Sequence, residues 1–322
     1  MNKLFTLFIF VFVSLSAFAQ PVPAEEENIP FLVTFGKQAE TSWGDDDFTQ
    51  VFFFAVPTDF KKPFYIRVFD PDCGGQFDEE NEGFDTYTKF SVYGGSGCIT
   101  EDDAREVDPF GNWKSGNLLG SKVFNENAKY DNNWYTFGPF NPTEGESSEK
   151  WGGNIFKVIC EGIRGNDGNV YRYFMSTEPE SNVAVEGGNI FTFEYSFRMH
   201  SEPWQKSHVY PYVDDAVVSL KQNNFDWDDD GFIQIVSVKS VSENVATSGD
   251  DRWSTSSYKV SDEERGTSLD IQFIKDDSRS VNNNNVVFYI TNQYGELLPF
   301  YNIPIGGIPR PKGKGKLTPL KR

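Results

Sequence analysis

Cysteine and histidine are scarce in this chain: three Cys and two His in 322 residues. The only histidines are His200 and His208, and the sequence contains no H-E-x-x-H, G-x-S-x-G or Walker-type phosphate loop. After the first twenty residues no apolar run reaches the 18 or so residues that a membrane-crossing helix needs, so no transmembrane segment is expected. Positive charge is also short. Against 48 Asp and Glu stand 29 Lys and Arg, a formal net charge of −19. Such a chain repels nucleic acid and anionic membrane, and favours solubility or bound cations. Catalysis has little to stand on. A Cys160–His pair is conceivable, but Cys160 lies in an apolar strand and reads as an inert buried thiol. Paired carboxylates of the glycosidase kind stay open, because their spacing is invisible in sequence.

The amino terminus reads as a secretory signal over residues 1–19. Lys3 is the charged start, Leu4 to Val13 the apolar stretch, and Ala17-Phe18-Ala19 a small-x-small site that places cleavage before Gln20. The protein is therefore expected to be secreted: extracellular, at the cell surface or in the periplasm. Loss of Lys3 takes the net charge to −20. The last 13 residues carry Arg310, Lys312, Lys314, Lys316, Lys321 and Arg322, so the body between the two ends is near −26. In an oxidising compartment a disulfide is expected. Cys73 and Cys98 lie in Gly-rich loops close in sequence, and Cys73–Cys98 is the expected pair, at a chain-entropy gain of roughly 3–4 kcal/mol. One objection is geometric: a plain hairpin puts Cys98 one strand length from the loop that holds Cys73.

Aromatics make up 16% of the chain, with 31 Phe, while helical Ala-Leu-Glu-Lys stretches are few, which favours an all-β protein. Strands are expected over 29–35, 49–56, 64–69, 87–93, 133–140, 154–163 and 170–175, with Gly165-Asn166-Asp167-Gly168 as a hairpin turn. Residues 100–117 read as a polar connection. After the Ser-, Glu- and Pro-rich stretch 176–188 come 189–199, 209–220, 231–241, 252–260, 268–275, 286–292 and 298–304, with Tyr294-Gly295-Glu296 as a turn. This pattern suggests two antiparallel β-sandwich domains, 20–178 jelly-roll-like and 179–308 immunoglobulin-like. Residues 309–322 form a basic tail without periodicity, expected to be disordered.

Two acidic stretches stand out. The first connects the strands 64–69 and 87–93 and carries Asp70, Asp72, Asp78, Glu79 and Asp85 among glycines. Carboxylates on both sides of Gly-rich turns offer hard oxygen ligands from several directions, as Ca²⁺ requires. The second, Asp226-Trp227-Asp228-Asp229-Asp230-Gly231, places Asp226, Asp228 and Asp230 at alternate positions before a glycine, like the first half of an EF-hand loop. The match stops there, since Ser237 stands at the twelfth position. Asp214, Asp215 or Asp250 are further oxygens for a shorter loop, while Asp45-Asp46-Asp47 fits either a metal-binding or a merely solvated acidic loop. Seven Trp, mostly at loops and strand ends, suit either sugar stacking or plugging of a sandwich. These features point to a non-catalytic recognition or adhesion protein with structural Ca²⁺ loops, whose partner is a protein or glycan at the cell surface. A carbohydrate-active enzyme or carbohydrate-binding module is the alternative.

Overall fold

The computed structural model describes residues 21–106, 112–277 and 285–311. The expected signal segment 1–19 and most of the expected basic tail lie outside the described residues. No helix among the described residues is long and apolar enough to cross a membrane.

The chain is nearly all strand, and every strand pair among the described residues is antiparallel. Two large sheets pack face to face in a sandwich-like arrangement. One runs, in order across it, through Trp253–Lys259, Ser219–Phe225, Asn285–Asn292, Glu194–Arg198, Phe31–Phe35, Gly168–Ser176, Phe64–Phe69 and Trp134–Phe140, with Pro21–Val22 added on Gly168–Ser176. The other runs through Phe300–Tyr301, Asn189–Thr192, Thr49–Val56, Gly153–Arg164, Tyr87–Gly94 and Asn117–Phe124, with Glu146–Ser148 beside Gly153–Arg164. A smaller sheet joins Lys206–Val209, Asp270–Lys275, Gly231–Val236 and Glu243–Val245. Strands from both sides of residue 178 share both large sheets: Phe31–Phe35 pairs with Glu194–Arg198, and Thr49–Val56 with Asn189–Thr192.

The apolar run Thr49–Val56 shows why alternation is weak in this sequence. Phe52, Phe54 and Val56 face the main core between the sheets. Phe53 and Ala55 point the other way, into a second cluster with Ile155, Trp151, Phe191, Phe193 and Tyr301. Both faces of the strand are buried, so both parities are apolar. The main core runs through strands of both halves, with Phe90, Tyr171 and Tyr173 in one cluster with Phe197, Phe273, Phe288 and Trp227. Its rings meet mostly edge to face, for example Phe90 on Tyr171 at 5.1 Å and Phe273 on Phe288 at 5.0 Å.

Successive strands often belong to opposite sheets, and this corrects two expectations. Gly153–Arg164 and Gly168–Ser176 do not pair. The turn at 165–168 carries the chain from one sheet to the other rather than closing a hairpin. The sheets approach closely there: a Cβ on Gly162 would lie 1.7 Å from the carbonyl oxygen of Phe35. The acidic stretch likewise crosses between sheets, from Phe64–Phe69 to Tyr87–Gly94. Cys73 precedes Tyr87–Gly94 and Cys98 follows it, so the eight-residue strand, roughly 26 Å long, lies between them. A disulfide needs Cα atoms within about 7 Å. The expected Cys73–Cys98 bridge is absent, and Cys73, Cys98 and Cys160 are all buried free thiols. Burial pushes the Cys98 thiol up to about 12 and raises the other two as well, which keeps all three protonated and unreactive.

Candidate functional site

Two kinds of feature in this sandwich could bind a ligand: the acidic turns at strand ends, and a cleft where the two halves of the chain meet.

The first acidic stretch is organised by hydrogen bonds rather than left solvated. Asp70 adopts a left-handed conformation (φ 53°) that ends Phe64–Phe69. Its Oδ1 accepts from Asn132 N at 2.9 Å, and Asp72 Oδ2 accepts from Asn127 N at 2.8 Å. The two carboxylates thus hold the segment 127–132 against the turn. Asp70 and Asp72 are fully buried, and their remaining oxygens, Asp70 Oδ2 and Asp72 Oδ1, are buried with no hydrogen-bond partner among the described residues. Asn169, on Gly168–Ser176, donates Nδ2 to Pro71 O at 2.9 Å, and its Oδ1 is likewise buried and unpartnered. Burial, with mutual repulsion and that of Asp131, raises Asp70 to about 7; burial, with Asp131 and Glu126, raises Asp72 to about 6.

Two other expected ligands of this stretch, Asp78 and Glu79, are committed elsewhere. Asp78 accepts from Gly74 N and Val170 N, each at 2.7 Å. Glu79 pairs with Arg198. The Asp85 side chain is exposed, while its backbone N–H donates to Asp167 Oδ2 at 2.8 Å.

In the second stretch, Asp226, Asp228 and Asp250 bring carboxylate oxygens within 4.8 Å of one another. Asp226, Asp228 and Asp229 all have positive φ, a tight turn that only Asn, Asp and Gly adopt readily. Asp226 is buried, accepts from Asp251 N at 2.7 Å, and is raised to about 7 by burial and by repulsion from Asp228, Asp250 and Asp251. Asp230 instead forms a buried ion pair with Lys275. Asp45, Asp46 and Asp47 also group within 4.8 Å, but Asp45 accepts from the backbone N–H of Phe35, Asp47 and Phe48, a full set for a structural turn.

The cleft, of about 610 Å³, is lined from both halves of the chain. Trp151, Phe193, Tyr212 and Tyr301 form its aromatic side, and Arg105, Lys150, Asp214 and Glu296 stand among its polar groups. Trp151 is stacked on Phe191 at 5.4 Å, with Lys150 Nζ 4.7 Å from its ring centre. Tyr212 meets Tyr301 edge-on at 6.3 Å and is only partly buried, the most accessible of the four rings to a ligand. Asp214 and Glu296 are exposed and brace their own turns: Asp214 Oδ1 accepts from Ala216 N, and Glu296 Oε2 from Asn292 Nδ2, each at 2.8 Å. Most of the other Trp rings are packing elements. Trp227 is buried in the core, Trp134 packs on Phe69 at 5.4 Å and Trp43 on Phe35 at 6.0 Å; only Trp204 and Trp253 are exposed. Neither Asn169 nor Tyr212 stood out in the sequence. Each is one residue in an ordinary strand, and its significance comes from segments far away in the chain.

Compared with known proteins, the chain matches no protein-family model, and no curated protein matches it.

Proposed function

We propose that this is a secreted, non-catalytic recognition protein that takes an uncharged oligosaccharide in the cleft between the two halves of its chain. The cleft itself supports this reading. Its volume lies in the range of ligand sites, it has an aromatic side with one accessible ring, and donors and acceptors of both signs surround it. Sugar rings present an apolar C–H face to an aromatic ring and hydroxyls to carboxylate, amide and ammonium groups, so this mixture suits a neutral polyol. With Asp102, Glu106, Asp214 and Glu296 against Arg105 and Lys150, the lining is net negative and disfavours anionic ligands. Binding is proposed over hydrolysis because Asp214 and Glu296 are exposed and hydrogen-bonded within their own turns. Secretion is supported by residues 1–19, and a role in adhesion follows if the glycan belongs to a cell surface. A glycan array probed with the purified protein tests the reading. Retention on neutral oligosaccharides is expected. Retention on sulfated or sialylated glycans alone, or on none, would overturn it.

A further inference from the structure

We infer that Asp70, Asp72 and Asn169 form the protein part of a Ca²⁺ site, separate from the cleft, with Asp70 Oδ2, Asp72 Oδ1 and Asn169 Oδ1 as ligands. The first observation is that each carboxylate is oriented. One oxygen of each is held by a backbone N–H, from Asn132 and from Asn127, and this leaves the other oxygen buried without a partner. A buried carboxylate oxygen without a partner costs free energy that a cation would return. The second observation is independent of the acidic cluster. Asn169 enters from another strand, and its Nδ2 is fixed on Pro71 O, the residue between the two aspartates. The reverse amide orientation would set two carbonyl oxygens against each other, so Oδ1 must be the atom left over, fully buried and unpartnered. Three leftover atoms, all acceptors and two of them on carboxylates, cannot satisfy one another unless a carboxyl is protonated. Nor can a single water serve three acceptors with two hydrogens.

The donor set selects the ion. All three atoms are hard oxygens, which suit Ca²⁺ or Mg²⁺ rather than zinc or copper. Mg²⁺ retains most of its water and avoids dry protein cages, whereas Ca²⁺ accepts six to eight oxygens in irregular geometry, so the preference is for Ca²⁺. The Gly74-Gly75 backbone is close by: a Cβ on Gly75 would meet Asp131 Oδ1 at 2.3 Å, so the turn and the segment 126–132 are packed tightly where the ion would join them. Repulsion among Asp70, Asp72 and Asp131 would become attraction to a shared charge.

Hydrogen–deuterium exchange on the full mature chain tests this without a substitution. EDTA-treated protein is compared with the same protein in about 10 mM CaCl₂ and in NaCl of equal ionic strength. The expected result is slower exchange in CaCl₂ alone, in peptides covering 70–78 and 126–133. Protection confined to 226–230 and 250–251, or equal exchange in CaCl₂ and NaCl, would overturn the assignment. As a second measurement, calorimetric Ca²⁺ titration of Asp72→Asn should show a loss of affinity of about 100-fold at this site, while Asp228→Asn should leave it intact. An isotherm for Asp72→Asn equal to that of the parent protein would also overturn it.

Discussion

Asp167 and Thr86 are bound to each other in both directions. Asp167 N donates to Thr86 Oγ1 at 2.8 Å, and Thr86 N donates to Asp167 Oδ2 at 3.1 Å. Asp167 also accepts from Asn81 N and Asp85 N, each at 2.8 Å, and is fully buried. This one carboxylate, in the turn between the sheets, therefore fixes the last third of the acidic crossing. Removing it strands three backbone N–H groups. Asp167→Ala is expected to destabilise by about 3–5 kcal/mol. A urea melt measures this through the shift of the midpoint. A cost below about 1 kcal/mol would show that water replaces the carboxylate.

Glu27 is fully buried at the amino-terminal end of the described chain. Its Oε2 accepts from Ala24 N at 2.6 Å and its Oε1 meets Tyr195 Oη at 2.5 Å, while Tyr195 Oη reaches Asn302 Oδ1 at 3.1 Å. Burial raises its pKa from 4.5 to about 8. The folded protein therefore holds this proton more tightly than the unfolded chain does. The stability it contributes is complete below pH 4.5 and is lost as pH rises through about 8, a swing on the order of 4–5 kcal/mol. A glutamine amide can replace the protonated acid, with its oxygen on Ala24 N and its NH₂ on Tyr195 Oη, which then donates to Asn302. Glu27→Gln is expected to match the parent protein at pH 4 and to exceed it by several kcal/mol at pH 9. Chemical denaturation at the two pH values checks this, and an equal difference at both would contradict it.

The three thiols give a direct test of the strand order. All are buried and unbridged. The native protein is expected to be inert to a thiol reagent and to release three equivalents of thiol once unfolded without reductant. Reductant should leave the melting temperature unchanged. One equivalent on unfolding would mean that two of these cysteines are bridged, and that the strands holding that pair are misplaced.

Much of the fold was legible in the sequence, for a simple reason. Thr49–Val56, Phe64–Phe69 and Tyr87–Gly94 are rich in Phe, Tyr and Val, and few other conformations bury so many rings. Three features were hidden. Asn117–Phe124 is an edge strand with an exposed, Gly- and Ser-containing face, so it resembles a loop. Residues 209–220 read as one strand but break at Pro211 and Asp214. Ser219–Phe225 instead buries Gln222 and Asn224, whose amides are satisfied by Ala246 O. Sheet membership was the third, because a crossing turn and a hairpin turn use the same Gly and Asp. The acidic stretches were visible as candidates, but the commitment of Asp78 to Gly74 and Val170, and of Asp230 to Lys275, depends on distant strands.

Calorimetric titration with a neutral oligosaccharide retained on the array tests the central claim most directly, comparing the parent protein with Tyr212→Ala and Trp204→Ala. Tyr212 is the accessible ring of the cleft, and Trp204 is the most exposed Trp in the described chain, 59% accessible and outside the cleft. The expected result is an affinity lowered about 10- to 100-fold by Tyr212→Ala, the loss of one stacking contact, and unchanged by Trp204→Ala. The reverse pattern, or full affinity in both variants, would contradict recognition in the cleft.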